Sequence, residues 1–348
     1  MATSTQTSPA QTSKSNPGPL LHIILESLGL HQAVFAAAEL GVADLLADQA
    51  MSTEELAAKL GVDETSLYRI LRLLASETIF TEVAPRTFAN SSASNCLRSD
   101  VPGSLRSMAR FRGTEFVYRS FGEILHTVRT GEPGREKALG MDGWEYLQKN
   151  PEMARLFDDA MTDLSSFAAP SVAAAYDFSK WESIMDVAGG NGVLLSAILR
   201  TYPKLRGVLA DQQHVLDRAT KRNFLGRELA ARSTMQVCDL FANIPSGCRA
   251  YMMKSVIHDW DDEDAKRIFR VCRKAVPEDG ALLLVEFDLP EDSRASRGKF
   301  TDITMMLLTG GRERTLAEYT ALLSATGFRL TQAVPTASGF NVIEALPA

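Results

Sequence analysis

Asp186-Val187-Ala188-Gly189-Gly190-Asn191-Gly192 follows the apolar run Ser183-Ile184-Met185 and precedes Val193-Leu194-Leu195-Ser196-Ala197-Ile198-Leu199. The passage reads as strand, glycine turn and helix, a turn that brings backbone close to a ligand. Its spacing is not the dinucleotide Gly-x-Gly-x-x-Gly, and no Gly-Lys-Ser/Thr ending follows for a nucleoside triphosphate. An adenosyl ligand without phosphates suits it better.

Outward from this turn, residues 184–188, 207–211, 235–238, 250–255 and 282–287 read as strands separated by helical patterns, which predicts a doubly wound α/β sheet. Two further strand patterns, 328–333 and 340–345, end the chain. Upstream, apolar residues recur at helical spacing at Leu21, Ile24, Leu25 and Leu28, then at Val34, Phe35, Ala38 and Leu45. Ser52-Thr53-Glu54-Glu55 offers a helix cap and Gly61 breaks the pattern. A second helix then starts at Asp63-Glu64-Thr65-Ser66 and runs through Leu67, Ile70, Leu71 and Leu74. Residues 80–83 and 86–89, around Pro85, predict a two-stranded wing. Helices dominate from 111 to 176, with stripes at Trp144, Tyr146 and Leu147 and at Met153, Leu156, Phe157 and Met161.

A winged helix raises a DNA-binding regulator as a competing reading. Charge opposes it: Arg69 and Arg72 share the helix region with Asp63, Glu64 and Glu77, and the 348-residue chain has a net charge of −6. With 45% hydrophobic and 23% charged residues, the composition is that of an ordinary soluble protein. Cys96, Cys238, Cys248 and Cys272 lack Cys-x-x-Cys spacing, so neither a zinc site nor a disulfide framework is expected, and the cytoplasm is the default compartment. Residues 1–18 are rich in Ser, Thr, Gln and Pro and read as a disordered tail. No apolar stretch is expected to reach the roughly 20 residues that span a bilayer, so no membrane partner is expected.

Lys254-Ser255-Val256-Ile257-His258-Asp259-Trp260 places a histidine just after the fourth strand pattern. Taken with the glycine turn, Gly207-Val208-Leu209-Ala210-Asp211, Cys238-Asp239-Leu240-Phe241 and Gly310-Gly311-Arg312-Glu313-Arg314-Thr315, it gives the chain its likeness. The chain resembles, over nearly its whole length, the class I S-adenosylmethionine-dependent O-methyltransferases of the plant caffeate and hydroxyindole type. The resemblance implies an α/β fold, with a Rossmann-like seven-stranded methyltransferase domain at 181–348, closed by one antiparallel strand. It also implies a winged-helix, mostly helical dimerisation domain at 19–110, and a helical linker and substrate-pocket region at 111–180.

The same resemblance implies S-adenosyl-L-methionine as cofactor, held by Gly189, Gly190, Asp211, Asp239, Leu240 and Lys254. Asp211 ends the second strand pattern about 20 residues after the glycine turn, where an acid can accept from both ribose hydroxyls. Asp239 and Leu240 would take the adenine. Two departures stand out: Ala188 replaces the usual first glycine of three, and Gln212-Gln213 replaces the usual Leu-Pro.

Methyl transfer to a phenol, whose pKa is about 10, needs a base near neutral pH. Of five histidines, His258 alone sits at a strand end beside the cofactor elements, while His22, His31, His126 and His214 lack metal-ligand spacing, and no metal is expected. The resemblance places Glu286 and Glu318 as flanking carboxylates; Glu286 stands inside an apolar run, and Glu318 follows Thr315 in a capped helix. Phe157, Met161, Met305 and Met306 are expected to line a pocket for a small aromatic or polyketide-like acceptor. A homodimer is expected through the N-terminal helices. N-methylation, decarboxylation or hydroxylation on the same cofactor is the alternative chemistry, with a nicotinamide oxidoreductase behind it.

Overall fold

The computed structural model describes residues 18–287 and 289–348. The expected tail, residues 1–18, lies outside these apart from Gly18. The described residues begin with α1 (Gly18–Leu40), followed by a helix-turn-helix. Ser52 and Glu55 form a reciprocal capping box at the first of its helices, Thr53–Leu60. Asp63 caps the second, α2 (Glu64–Ser76), by accepting from Ser66 N. The wing is Phe80–Ala84 paired with Thr87–Asn90, and Met51–Ser52 adds a third short strand that the sequence pattern did not reveal. The wing's Arg86 is tied to Glu64 and lies over Tyr68, so its charge is internally matched.

Among the described residues, one helix, Leu21–Leu40, is long and apolar enough to cross a membrane by length and composition alone. The expectation that no stretch reaches that length is therefore corrected: Glu26 and Glu39 interrupt the run too sparsely to lower its hydropathy. Leu21, Ile23, Ile24, Leu25 and Leu28 are exposed on the single chain.

Short helices then lead through α3 (Arg106–Arg112) to the long α4 (Pro151–Ala175). The expected domain boundary at 110 falls inside α3, which packs against both α1 and α4. Gly113 ends α3 pressed on the Phe35 ring of α1, where a Cβ would lie 2.1 Å from the ring carbon.

The sheet follows as β1 (Ser183–Val187), α5 (Val193–Thr201), β2 (Arg206–Asp211), α6 (Gln213–Arg222), β3 (Ser233–Val237), β4 (Ala250–Lys254), α7 (Asp262–Ala275), β5 (Ala281–Phe287), α8 (Arg297–Leu308), α9 (Leu316–Ser324), β6 (Phe328–Pro335) and β7 (Phe340–Pro347). Its seven strands run in the order β3-β2-β1-β4-β5-β7-β6. β7 is antiparallel to both neighbours, and the first five strands are parallel.

Period-two alternation divides the core. Ile184, Leu209, Met252, Leu283 and Val342 face one layer with α4 and α5. Met185, Ala210, Tyr251, Leu284 and Ile343 face the other, with α7 and Tyr319 of α9. β4 and β5 are buried on both faces, which is why their sequences are nearly unbroken apolar runs. An acid at the carboxyl end of such a strand, Glu286, is carried into the interior by its neighbours' burial rather than by its own preference.

Candidate functional site

The functional residues gather beyond the carboxyl ends of β1, β2, β4 and β5, where ligands of open α/β sheets sit. At the end of β1, Ala188 adopts φ +55°, Gly190 φ +58° and Gly192 φ +78°. Ala188 thus holds a left-handed conformation that a glycine would take more cheaply, and its N–H donates to Ala210 O at 2.8 Å. Gly189 is required for another reason: a Cβ there would lie 2.6 Å from both Asp186 Cγ and Leu209 Cδ1. Around Gly190 there is open space, so the turn is closed toward the sheet and open away from it.

Asp211 clasps this turn, its Oδ2 accepting from Gly190 N at 2.9 Å and its Oδ1 from Gln212 N at 2.7 Å. Burial pushes its carboxyl above the usual range, and these two backbone donors pull it partly back. Asp186 is buried beneath the turn, its Oδ2 without a hydrogen-bond partner among the described residues; burial lifts it to about 7, against the pull of Lys254. Asn191 Nδ2 donates to Thr162 Oγ1 of α4 at 2.8 Å, which draws α4 over the turn.

Asp239 is exposed and accepts from Phe241 N at 2.8 Å, an Asx-type turn that presents the carboxylate at the end of β3. Leu240 is partly buried against the core beside it. Lys254 ends β4 with Nζ 3.3 Å from Ser255 Oγ and 5.3 Å from the Phe340 ring centroid. Desolvation lowers its pKa to about 8, offset by the fields of Glu286 and Asp186, so this half-buried cation lies in the field of both halves of the site.

His258 lies in the short turn Ile257–Asp259 after β4. Its Nδ1 is 2.8 Å from Glu313 Oε1 and 3.6 Å from Glu286 Oε2, and all three side chains are buried. Glu286 Oε1 accepts from Val256 N and Ile257 N, each at 3.0 Å, and so fastens the histidine loop to β5. On the other edge of the ring, Nε2 is 4.0 Å from Asp259 Oδ1, and Asp259 lies in the field of the buried Arg135. Burial alone would depress the His258 pKa, but the charges of Glu286 and Glu313 and the hydrogen bond the ring donates to Glu313 outweigh it and raise it to about 10. The two carboxylates thereby favour the protonated ring, and burial raises Glu286 as well.

Glu318 does not touch His258. It is the third residue of α9 and caps it, accepting from Thr315 N at 2.8 Å and pairing with Arg312 at 2.5 Å. The expected second carboxylate is therefore corrected to Glu313. Glu318 belongs to Thr315-Leu316-Ala317-Glu318, a capping box, and the box uses its carboxylate. Glu313 reaches the ring because its loop sits directly on the histidine loop. Arg312 N donates to His258 O at 2.9 Å, and a Cβ on Gly311 would fall 2.1 Å from that same oxygen. Arg314, fully buried, then binds Ile257 O, Trp260 O and Asp262 from one guanidinium.

His258, Glu286 and Glu313 also offer atoms within 4.8 Å of one another, a spacing that could hold a cation. Sequence spacing among the histidines could not show this, since the other two members are glutamates from distant segments. In this arrangement Nδ1, a nitrogen such an ion would need, faces Glu313 Oε1 at hydrogen-bond distance.

Phe157 and Met161 lie on α4 in an aromatic cluster with Phe111, Phe116 and Leu308. The Phe157 ring meets Trp144 and Phe111 edge-on at 5.9 and 5.6 Å between centroids. Met305 and Met306 are half-buried on α8, whose Asp302 accepts from Glu313 N at 2.9 Å.

Residues 121–329 match the model of an O-methyltransferase domain and residues 24–100 that of an O-methyltransferase dimerisation domain. The chain is 40% identical to a phenazine O-methyltransferase of Lysobacter antibioticus, over 97% of this chain and 99% of that one. It is 34% identical to a mitomycin biosynthesis 6-O-methyltransferase of Streptomyces lavendulae, over 96% of each. A solved O-methyltransferase from neocarzinostatin biosynthesis, in complex with S-adenosyl-L-homocysteine and 1,4-dihydroxy-2-naphthoic acid, superposes with a TM-score of 0.77 at 31% identity, covering 93% of this chain and 98% of that one. Other relatives include N-methyltransferases. With a cofactor turn, a buried histidine and these matches along its length, the chain belongs to the S-adenosylmethionine-dependent O-methyltransferase family.

Proposed function

We propose that the chain methylates a hydroxyl of a small aromatic acceptor, with His258 as the base. The observation that carries this reading is the Nδ1 contact of His258 with Glu313, at 2.8 Å, which leaves Nε2 as the nitrogen available to an acceptor. S-adenosylmethionine, when bound, supplies a methyl group on a sulfonium, which leaves as the methyl of an aryl ether while S-adenosylhomocysteine remains. Gly190 and Asp211 fit such a cofactor: the turn is open at Gly190, and Asp211 has oxygen lone pairs beyond its two backbone donors. Asp239 and Leu240 would meet the adenine, and Lys254 would stand between the cofactor and Glu286.

His258 takes the hydroxyl proton at Nε2 as the oxygen attacks, and Glu313 and Glu286 balance the imidazolium that results. A ring pKa close to a phenol's, about 10, makes that transfer nearly thermoneutral. The aromatic acceptor is supported by the naphthoic acid in the neocarzinostatin relative and by the aromatic and methionine side chains on α4 and α8. N-methylation on the same scaffold is the second reading, favoured by relatives that methylate nitrogen. An amine acceptor would still give up a proton to His258.

The exposed apolar face of α1 supports a homodimer in which a second copy covers Leu21, Ile24, Leu25 and Leu28. The matched wing charge at Arg86 and Glu64 supports no nucleic-acid role, and the four free cysteines support a cytoplasmic setting.

Asp211→Ala should weaken S-adenosylhomocysteine binding in calorimetry by roughly ten- to a hundred-fold, a loss of about 1.4–2.8 kcal/mol. A wild type that does not bind it contradicts the reading. His258→Gln should lower kcat on a phenol by about a hundred- to ten-thousand-fold at pH 7. Because the folded ring pKa is raised to about 10, the wild-type rate should climb between pH 7 and 9 as the ring loses its proton. The variant should keep only the climb due to the phenol itself, and on an acceptor already ionised at pH 7 its deficit should shrink. A variant with the wild-type rate and profile on a protonated phenol rules out the base. Light scattering should return about twice the 38.0 kDa chain mass, and a fully active monomer would refute the dimer.

A further inference from the structure

Helix α4 changes character along its length. Ala168, Ala169, Val172 and Ala173 in its second half are buried in the core with Val193, Leu194 and Leu195 of α5. From Met161 to Ser166 every residue is only half-buried. Pro170 stands where the two parts join, and it lacks the N–H that would donate to Ser166 O, so one rung of the helix is missing there.

The half-buried part is held by its side chains. Asp163 Oδ2 accepts from Met108 N of α3 at 3.1 Å, on the side of the dimerisation domain. Thr162, the preceding residue, accepts from Asn191 of the glycine turn at 2.8 Å. One helical turn earlier, Asp158 and Asp159 meet α6. Arg218 Nε is 2.5 Å from Asp158 Oδ2, and both of these atoms are shielded from solvent. Arg222, one turn farther along α6 and therefore on the same face as Arg218, pairs with the more exposed Asp159.

These ties land on the two segments that carry the cofactor residues. Asn191 directly follows Gly190, above which the space is open, and α6 begins two residues after Asp211. Asp158 lies in the field of Asp211: burial lifts its carboxyl to about 6 against the pull of Arg218, and the charges of Asp159 and Asp211 add to the rise. Ion pairs suit a seam that must open, since parted charges are hydrated and no apolar surface is laid bare.

We propose that Asp158–Arg218 and Asp159–Arg222 form a clasp that retains the cofactor: the four residues position α4 over Gly190 and Asp211, and their parting sets how fast S-adenosylhomocysteine leaves. None of the four touches it. This rests on the cofactor site read above at Gly190 and Asp211 and adds what closes that site.

Release of S-adenosylhomocysteine from the immobilised full chain, followed by surface plasmon resonance, reads the clasp without catalysis. Arg218→Met should release it about ten-fold faster than the wild type and Arg222→Glu about three-fold faster, with association little changed. Asp159→Lys combined with Arg222→Glu rebuilds the outer pair with its signs reversed, and should bring release back to within about two-fold of the wild type. A helix that α6 merely steadies would not be rescued by reversed charges. If Arg218→Met loses its fold by circular dichroism, the swap at the outer pair decides. Tight binding with both arginine variants releasing at the wild-type rate, or a swap that leaves the fast release of Arg222→Glu uncorrected, overturns the clasp alone. A wild type that does not bind S-adenosylhomocysteine overturns the cofactor reading and the clasp with it.

Discussion

The site depends on one buried arginine. Arg314 reaches from the loop before α9 to Ile257 O, Trp260 O and Asp262, on both sides of the short turn that carries His258. Charge-assisted hydrogen bonds of this kind are worth about 1.5–3 kcal/mol each, and together they lock two loops more than fifty residues apart in sequence. Glu313, the neighbouring residue, is thereby set beside Nδ1 of His258 at 2.8 Å. Gly311 completes the seat, since any Cβ would strike the backbone of the histidine loop.

The strand ends carry the rest of the constraint. Buried Asp186, Glu286 and His258 and half-buried Lys254 are held close to one another, and each has a pKa displaced from its ordinary value. Such groups are expensive to bury, and their charges are sustained by mutual fields and by backbone donors. The non-glycine residues Ala188 and Ser255 hold positive φ values of 55° and 53° at the ends of β1 and β4. Strain and buried charge therefore coincide on the ligand side of the sheet, where function can use them.

Much of this was legible in the chain. The seven strands, the glycine turn, the position of His258 and the winged helices follow from period, punctuation and cap residues, because those are local rules. Glu286 was legible as an acid inside an apolar run. Glu313 was not: Thr315-Leu316-Ala317-Glu318 announces a cap, and which glutamate meets the histidine depends on how one loop lies upon another. Leu21–Leu40 exceeds the expected limit because its short apolar clusters join in one continuous helix.

The contact between Glu313 and His258 is the claim on which the chemistry turns, and it fixes where the ring proton sits. NMR of the isotope-labelled histidine ring in the S-adenosylhomocysteine complex reads that proton directly. The account predicts a strongly hydrogen-bonded, downfield proton on His258 Nδ1 that moves upfield in Glu313→Gln and stays in place in Glu318→Gln. A bare Nδ1 with the proton on Nε2 alone, or a signal that answers to Glu318 and not to Glu313, would contradict it.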